Sequence, residues 1–331
     1  MNEVRGIEIK DIAIYLPQTL RDNEYYVKYY KNQGYYAEMV AEDMLGRKER
    51  YVINPDLGEN ATSLAVGASK EVLKKTGLSG GDIDIICFCT FSSEYVSPPG
   101  AIFICNEIGG SENCLCYDLN ANCAGMLMAL EQLSRYMSAS NKVKRALLVG
   151  AECLSIMFDP KDIMNNVCYG DAAAAVILEK TGDQTKLIDT EYYTVIQDLK
   201  AVKIPKCGLS KSFQASLSER YAYVETIELA MDKSFEIINR LLVEHNLDFD
   251  DIKLFCTSQF SKDLGTQLLN ELGVKEEQRI YVGDRFGYTG ANCTFLCLHE
   301  AIKEGRVKKG DYIFIWTAGV GVQYFMTLIK Y

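Results

Sequence analysis

The chain has 331 residues, with 35 Lys+Arg against 45 Asp+Glu and a formal net charge of −10. Hydrophobic residues make up 48% and charged residues 24%, which excludes a disordered chain, and at this length two cores are expected rather than one. The acidic balance argues against nucleic acid or an anionic membrane as partner.

Short β-rich runs alternate with longer helix-period segments, the rhythm of an α/β protein. Residues 61–77 read as an amphipathic helix ended by Gly77, and Asp82 to Cys89 as a buried strand. A short strand over Leu115 to Leu119 precedes a helix from about Ala124 to Met137. That helix places Met126, Leu130, Leu133 and Met137 on one face. Lys144 to Gly150 and Ala172 to Leu178 are further buried strands, whereas 181–220 reads as polar and irregular. A helix over 224–244, a strand over Ile252 to Cys256 and a helix over Asn292 to Lys303 follow. The chain closes on strands at Tyr312 to Thr317 and Val322 to Ile329, joined by the turn Ala318-Gly319-Val320-Gly321.

The two parts echo each other. Pairing Asp82-Ile83 with Asp251-Ile252 aligns two buried strands and sets Cys87 on Cys256, and the triplet Ala-Asn-Cys occurs at 121–123 and again at 291–293. These echoes predict a duplicated domain with halves at 1–182 and 183–331.

Twelve cysteines raise the question of metal or redox chemistry. No CxxC occurs, and His245 and His299 are the two histidines, so no metal site is expected and most cysteines read as small buried hydrophobes. The start lacks the pattern of a secretory signal, and no apolar run has the length of a membrane span. The expected setting is cytoplasmic, with reduced thiols and no membrane partner.

Several segments together resemble the ketoacyl-acyl-carrier-protein synthase III (KAS III) type of the thiolase superfamily. They are YLPQTLRDNEYY near the start, GRKERYVI at 46–53, DLNANCAGMLMAL at 118–130 and KRALLVGAECLS at 144–155. YGDAAAAVIL at 169–178, HEAIKEGRVKKGD at 299–311 and the closing GVG turn complete the set. The resemblance implies a thiolase-like αβαβα layered fold of two duplicated βαβαβαββ halves. It also implies a homodimer, or a heterodimer with a related synthase, and no cofactor. Acyl-CoA or acyl carrier protein would be the acyl donor, in fatty-acid, polyketide or specialised metabolite biosynthesis.

Cys123 lies just before a helix, where unsatisfied N–H groups and the helix dipole favour thiolate, and the resemblance makes it the acyl-accepting nucleophile. Cys293, in the second Ala-Asn-Cys, reads as core. The family's catalytic histidine and asparagine positions hold Ser258 and Tyr288. Each lost donor to a developing enolate lowers the rate by about 10²–10³, so condensation should suffer more than acyl loading. The resemblance makes the backbone of Val320, between Gly319 and Gly321, an oxyanion donor, and places Ser97 at an acyl-pocket position. The aligned carrier-binding positions hold Val40, Met44 and Asp263. The basic groups at Arg47, Lys48 and Arg50, at Lys142, Lys144 and Arg145, and at Arg306, Lys308 and Lys309 read as solvated faces. His245 and His299 also read as solvated, and Trp316 as core.

The expected activity is acyl transfer through an acyl-Cys123 thioester. A non-catalytic partner subunit of another KAS III-like chain is the alternative from another class. A 3-oxoacyl-carrier synthase using Ser258 and Tyr288 is the further one.

Overall fold

The structure is a computed structural model that describes residues 4–196, 199–225 and 231–331. Its first half runs β1 (Ile7–Tyr15), α1 (Ala61–Thr76), β2 (Ile85–Cys89), α2 (Gly100–Glu107), β3 (Leu115–Leu119), α3 (Gly125–Ala139), β4 (Arg145–Glu152) and β5 (Ala172–Lys180). The second half runs β6 (Leu187–Thr194), α4 (Asp232–Glu244), β7 (Ile252–Thr257), α5 (Lys262–Glu271), α6 (Cys293–Lys303), β8 (Tyr312–Gly319) and β9 (Gln323–Lys330).

The first sheet has the order β1-β5-β4-β2-β3, with β2 parallel to both β3 and β4. The second has β6-β9-β8-β7, with Val4–Arg5 added outside β6 and β7 parallel to β8. The third strand of the second half is reduced to one bridge between Phe255 and Arg279.

Five layers follow from what each face buries. Met126, Leu130, Leu133 and Met137 of α3 pack with Phe295, Leu296 and Leu298 of α6 in one core between the sheets. The outer face of the first sheet is covered by Leu64, Ala68 and Val72 of α1 and Ile104 of α2. The outer face of the second is covered by Ile237, Ile238 and Leu241 of α4 and Leu268 of α5. Alternation along the strands puts successive side chains on opposite faces, so each sheet serves two cores.

The duplication is visible in the register. Cys87 on β2 lies opposite Leu148 on β4, and Cys256 on β7 lies opposite Ile315 on β8, so the two cysteines occupy equivalent strand positions. The Ala-Asn-Cys echo is out of step. The turn Asn122–Ala124 before α3 matches Gly290–Asn292 before α6, which puts Ala291, not Cys293, on Cys123. Cys293 is instead the first residue of α6.

Gly77 closes α1 in the left-handed conformation at φ 69°, and Trp316 is buried with its indole N–H donated to Ser234 Oγ at 3.1 Å. The region read as irregular contains β6, an eight-residue strand paired along its length with β9. The helix expected over 224–244 begins at Asp232; Tyr223–Val224 pairs as a strand with Val202–Lys203, and 226–230 lie outside the described residues.

Candidate active site

The bend between β3 and α3 carries Cys123. Asn122 adopts φ +51°, and its side-chain amide donates to the Val320 carbonyl at 3.1 Å. Thr317 Oγ1 reaches the Cys123 carbonyl at 3.4 Å. Gly319 permits this approach, since a Cβ there would lie 3.0 Å from the Ala121 carbonyl oxygen and 3.3 Å from Ala124 Cβ. The 319–321 turn of the second half is thus fastened to the cysteine bend of the first. Among the described hydrogen bonds none engages the Val320 N–H.

Tyr288 shares one buried cluster with Cys123 and draws the thiol pKa down. Its backbone is fixed by two contacts: its N–H donates to the Cys168 carbonyl at 2.9 Å, and its carbonyl accepts from the Gly170 N–H at 3.0 Å. Two glycines make this possible. A Cβ on Gly170 would lie 2.0 Å from the Phe286 carbonyl oxygen, and one on Gly287, at φ +69°, would lie 2.9 Å from the Gly170 nitrogen. No larger residue fits at either position without moving the backbone.

The site is lined by aromatic rings. Phe158 stacks on Tyr169 with centroids 4.2 Å apart, and Phe260 meets Tyr288 edge-on at 5.3 Å. Cys123, Phe158, Tyr169, Tyr288 and Cys293 share one buried cluster with Ala37, Val40 and Ala41 of the chain's early helical segment. Burial dominates the acid–base behaviour. Desolvation pushes the Cys123 thiol up to about 12, against the downward pull of Tyr288. Cys123 stands at the expected place just before the helix, and burial moves its thiol in the direction opposite to the one a helix start favours.

Ser258 is buried and its N–H donates to the Trp316 carbonyl at 3.0 Å. Its hydroxyl draws the Cys293 thiol pKa down. Cys293, read from sequence as plain core, therefore borders the site: its charge bears on both Cys123 and Tyr288. Burial lifts its thiol to about 11 against the pull of the Gln259 and Thr294 backbone N–H groups.

Of the remaining sequence-predicted residues, Gly321 and Val320 lie in the turn beside Asn122, while Ser97 is exposed on the loop before α2. Val40 is fully buried and Met44 is 44% exposed. Two arginines read as a solvated face are instead fully buried. Arg47 donates to the carbonyls of Cys168 at 3.2 Å, Gln259 at 2.8 Å and Phe260 at 2.9 Å. Arg50 gives two bonds to the Val167 carbonyl, at 3.2 and 2.7 Å, and sits 4.5 Å from the Tyr26 ring centroid. Burial lowers its pKa to about 10. Both histidines are also enclosed. His245 pairs with Asp189 at 2.8 Å with its side chain 8% exposed, and His299 pairs with Glu300 at 3.1 Å, its pKa lowered by burial.

Sequence reasoning did not single out Glu152, at the end of β4. It is buried and accepts from Ser92 Oγ at 2.6 Å, Thr90 Oγ1 at 3.2 Å and the Phe91 N–H at 3.3 Å. Desolvation lifts its carboxyl to about 8, and its charge bears on Cys123. Its place in the quoted KRALLVGAECLS segment was the available signal.

A layered fold whose two halves meet at a cysteine before a buried helix defines a thiolase-like protein. The sequence profile of 3-oxoacyl-[acyl-carrier-protein (ACP)] synthase III matches residues 117–195, and that of its C-terminal part matches 242–331. The beta-ketoacyl-[acyl-carrier-protein] synthase III of Clostridium perfringens is 29% identical over 332 aligned positions, covering 99% of this chain and all of the relative. A crystal structure of 3-oxoacyl-[acyl-carrier-protein] synthase III from Aquifex aeolicus superposes with a TM-score of 0.85 at 25% identity, over 98% of this chain and all of that one. A 3-oxoacyl-(acyl-carrier protein) synthase from Burkholderia xenovorans shares the fold at TM-score 0.88 and 20% identity, over 99% of this chain and 94% of that one. The chain belongs to the 3-oxoacyl-[acyl-carrier-protein] synthase III family, a family of acyltransferases. Among the described residues no helix is long and apolar enough to cross a membrane.

Proposed function

We propose that this protein takes an acyl group from an acyl-CoA or acyl-carrier thioester onto Cys123 and passes it to a second acceptor. The observation that carries this reading is the junction itself: Cys123 at the foot of α3, under the Tyr288 hydroxyl and against the 319–321 turn. Attack of the Cys123 sulfur on the donor carbonyl forms a carbon–sulfur bond. Collapse of the tetrahedral adduct breaks the old one and releases the donor thiol. The exchange is proton-neutral, because the proton leaving Cys123 is the one the departing sulfur requires. A raised thiol pKa lowers the thiolate fraction, so loading depends on this proton passing from Cys123 to the departing sulfur in the course of the exchange. The Val320 and Cys123 N–H groups are the oxyanion donors in this scheme.

Condensation is less well supported. Stabilising the enolate left by decarboxylation needs donors at the acceptor carbonyl, yet the positions where the family resemblance places histidine and asparagine hold the buried Ser258 and Tyr288. The aromatic packing around Cys123 favours a second reading, a non-catalytic subunit that completes a related synthase. Intact mass after incubation with a panel of acyl-CoA and acyl-carrier thioesters separates the two. An adduct that is absent in Cys123→Ala supports the transferase. Failure of every donor to label the protein, together with tight binding to a second synthase-like chain, supports the subunit.

A further inference from the structure

The active site absorbs two of the twelve cysteines. Eight cysteines in all are buried, and four reach solvent: Cys105, Cys114, Cys116 and Cys207. Three of those four converge. The sulfurs of Cys105 on α2, Cys114 in the turn before β3 and Cys116 on β3 all lie within 4.8 Å of one another.

We propose that Cys105, Cys114 and Cys116 form a trithiolate site for a thiophilic closed-shell cation such as Zn²⁺, with the fourth position open to solvent.

Four features support it. Tetrahedral coordination with Zn–S near 2.3 Å sets sulfurs about 3.8 Å apart, so a contraction of roughly 1 Å or less closes the triangle. Among the described residues the hydrogen bonds of these sulfurs are long, to the carbonyls of Ser111 at 4.0 Å, Leu115 at 3.9 Å and Cys114 at 3.7 Å. Room beside Cys105 is kept by Gly110, where a Cβ would lie 2.4 Å from the Cys105 sulfur. All three residues are partly exposed, which gives an ion a path in.

Three like charges cannot share this space unaided, and a dication reverses that repulsion. Each coordinated thiol gives its proton to solvent as its sulfur–metal bond forms, with no change of oxidation state.

The place in the fold gives the site a consequence. Asp118 on β3 already accepts the Gly100 and Ala101 N–H groups at 2.6 and 2.9 Å, tying the start of α2 to the strand. A cation on Cys105, Cys114 and Cys116 ties the far end of α2 to the start of the same strand. That strand leads directly into the bend carrying Cys123.

The full chain, reduced and freed of metal with a chelator, is titrated with Zn²⁺ or Cd²⁺. The expected result is one ion retained per chain after gel filtration, with an ultraviolet thiolate-to-Cd²⁺ charge-transfer band. The band is lost in Cys105→Ser and Cys116→Ser and kept in Cys207→Ser. In the unsubstituted protein, peptide mapping after alkylation should show Zn²⁺ protecting Cys105, Cys114 and Cys116 while Cys207 is labelled as before. Sub-stoichiometric binding, or equal labelling with and without Zn²⁺, overturns the proposal. The protection experiment needs no variant, so a variant that fails to fold leaves the test intact.

Discussion

Tyr288 and Cys123 share one buried cluster, and the phenolic hydroxyl draws the thiol pKa down against a larger upward push from burial. Tyr288→Phe keeps the ring and its contact with Phe260 while removing that donor. A hydrogen bond to a charged group contributes about 1.5–3 kcal/mol, so the thiolate population at a given pH should fall roughly tenfold or more. Iodoacetamide labelling of Cys123, followed by peptide mass against pH, should show a correspondingly slower reaction with an unchanged fold. Equal labelling rates in both proteins would show that the phenol does not tune this sulfur.

Ser258 and Tyr288 stand at the two positions where the family resemblance places histidine and asparagine, so restoring one donor alone leaves the other half of the enolate site missing. The Tyr288→Asn change also removes a ring from a tightly packed cluster. The double change Ser258→His, Tyr288→Asn should therefore raise CO₂ release from a malonyl thioester far more than the product of the single effects. A gain of about 10² or more is expected from donors of this kind. Radiolabelled CO₂ capture is the direct readout, and no gain in the double variant would reject the donor argument.

Much of this architecture is legible in the chain. The buried strand carrying Cys87 and its echo carrying Cys256 do occupy equivalent places, and the motif around Cys123 does form a strand-to-helix bend. What the sequence conceals are residues whose partners lie far along the chain. β6 reads as irregular because Asp189, Thr190 and Glu191 are polar, yet Asp189 meets His245, Thr190 meets Thr327 at 3.1 Å and Glu191 meets Arg240 at 3.3 Å. Arg47 and Arg50 look like a solvated run because sequence cannot show the carbonyls that surround them. Cys105 looks unrelated to the CxC at 114–116 because a helix end and a turn separate them in sequence, and only the packing of α2 on β3 joins them.

Among the described residues Arg47 is a buried cation without a carboxylate partner, held by the carbonyls of Cys168, Gln259 and Phe260 and by the Tyr281 hydroxyl. These groups belong to both halves of the chain, and two of the carbonyls flank segments that position Tyr288 and Ser258. Arg47→Met should preserve bulk but leave several buried acceptors without donors, each worth about 1–3 kcal/mol. Chemical denaturation should show a loss of about 3 kcal/mol or more. Lys48→Ala is the neighbouring control; its side chain is 78% exposed, so it should change stability by less than about 1 kcal/mol. Comparable losses in the two variants would contradict the role assigned to Arg47.

Glu152 gives the fold a pH dependence of definite sign. Burial raises its carboxyl from 4.5 to about 8, ahead of the opposing pull of Ser92, Phe91 and Thr90. A group whose folded pKa lies above its unfolded value contributes its full stabilisation below the unfolded value. That contribution disappears as pH rises through the folded one, at up to about 1.4 kcal/mol per pH unit within the window. Asp171 adds the same sign over a lower range, its carboxyl being raised to about 6 by burial although Ser155 and the Ile53 N–H bond it. The stability contributed by these two groups should therefore decline from about pH 4 to about pH 8, steepest between about pH 4.5 and 6 where both windows overlap, and through Glu152 alone above pH 6. Glu152→Gln keeps an acceptor for Ser92 and Thr90 but removes the ionisable proton, and should flatten the decline between pH 6 and 8. Urea denaturation midpoints at several pH values test this, with the two proteins expected to diverge as pH rises. Parallel pH profiles for the two proteins would place Glu152 in its charged form throughout, and would require a cation or a further donor beside it that stabilises that charge.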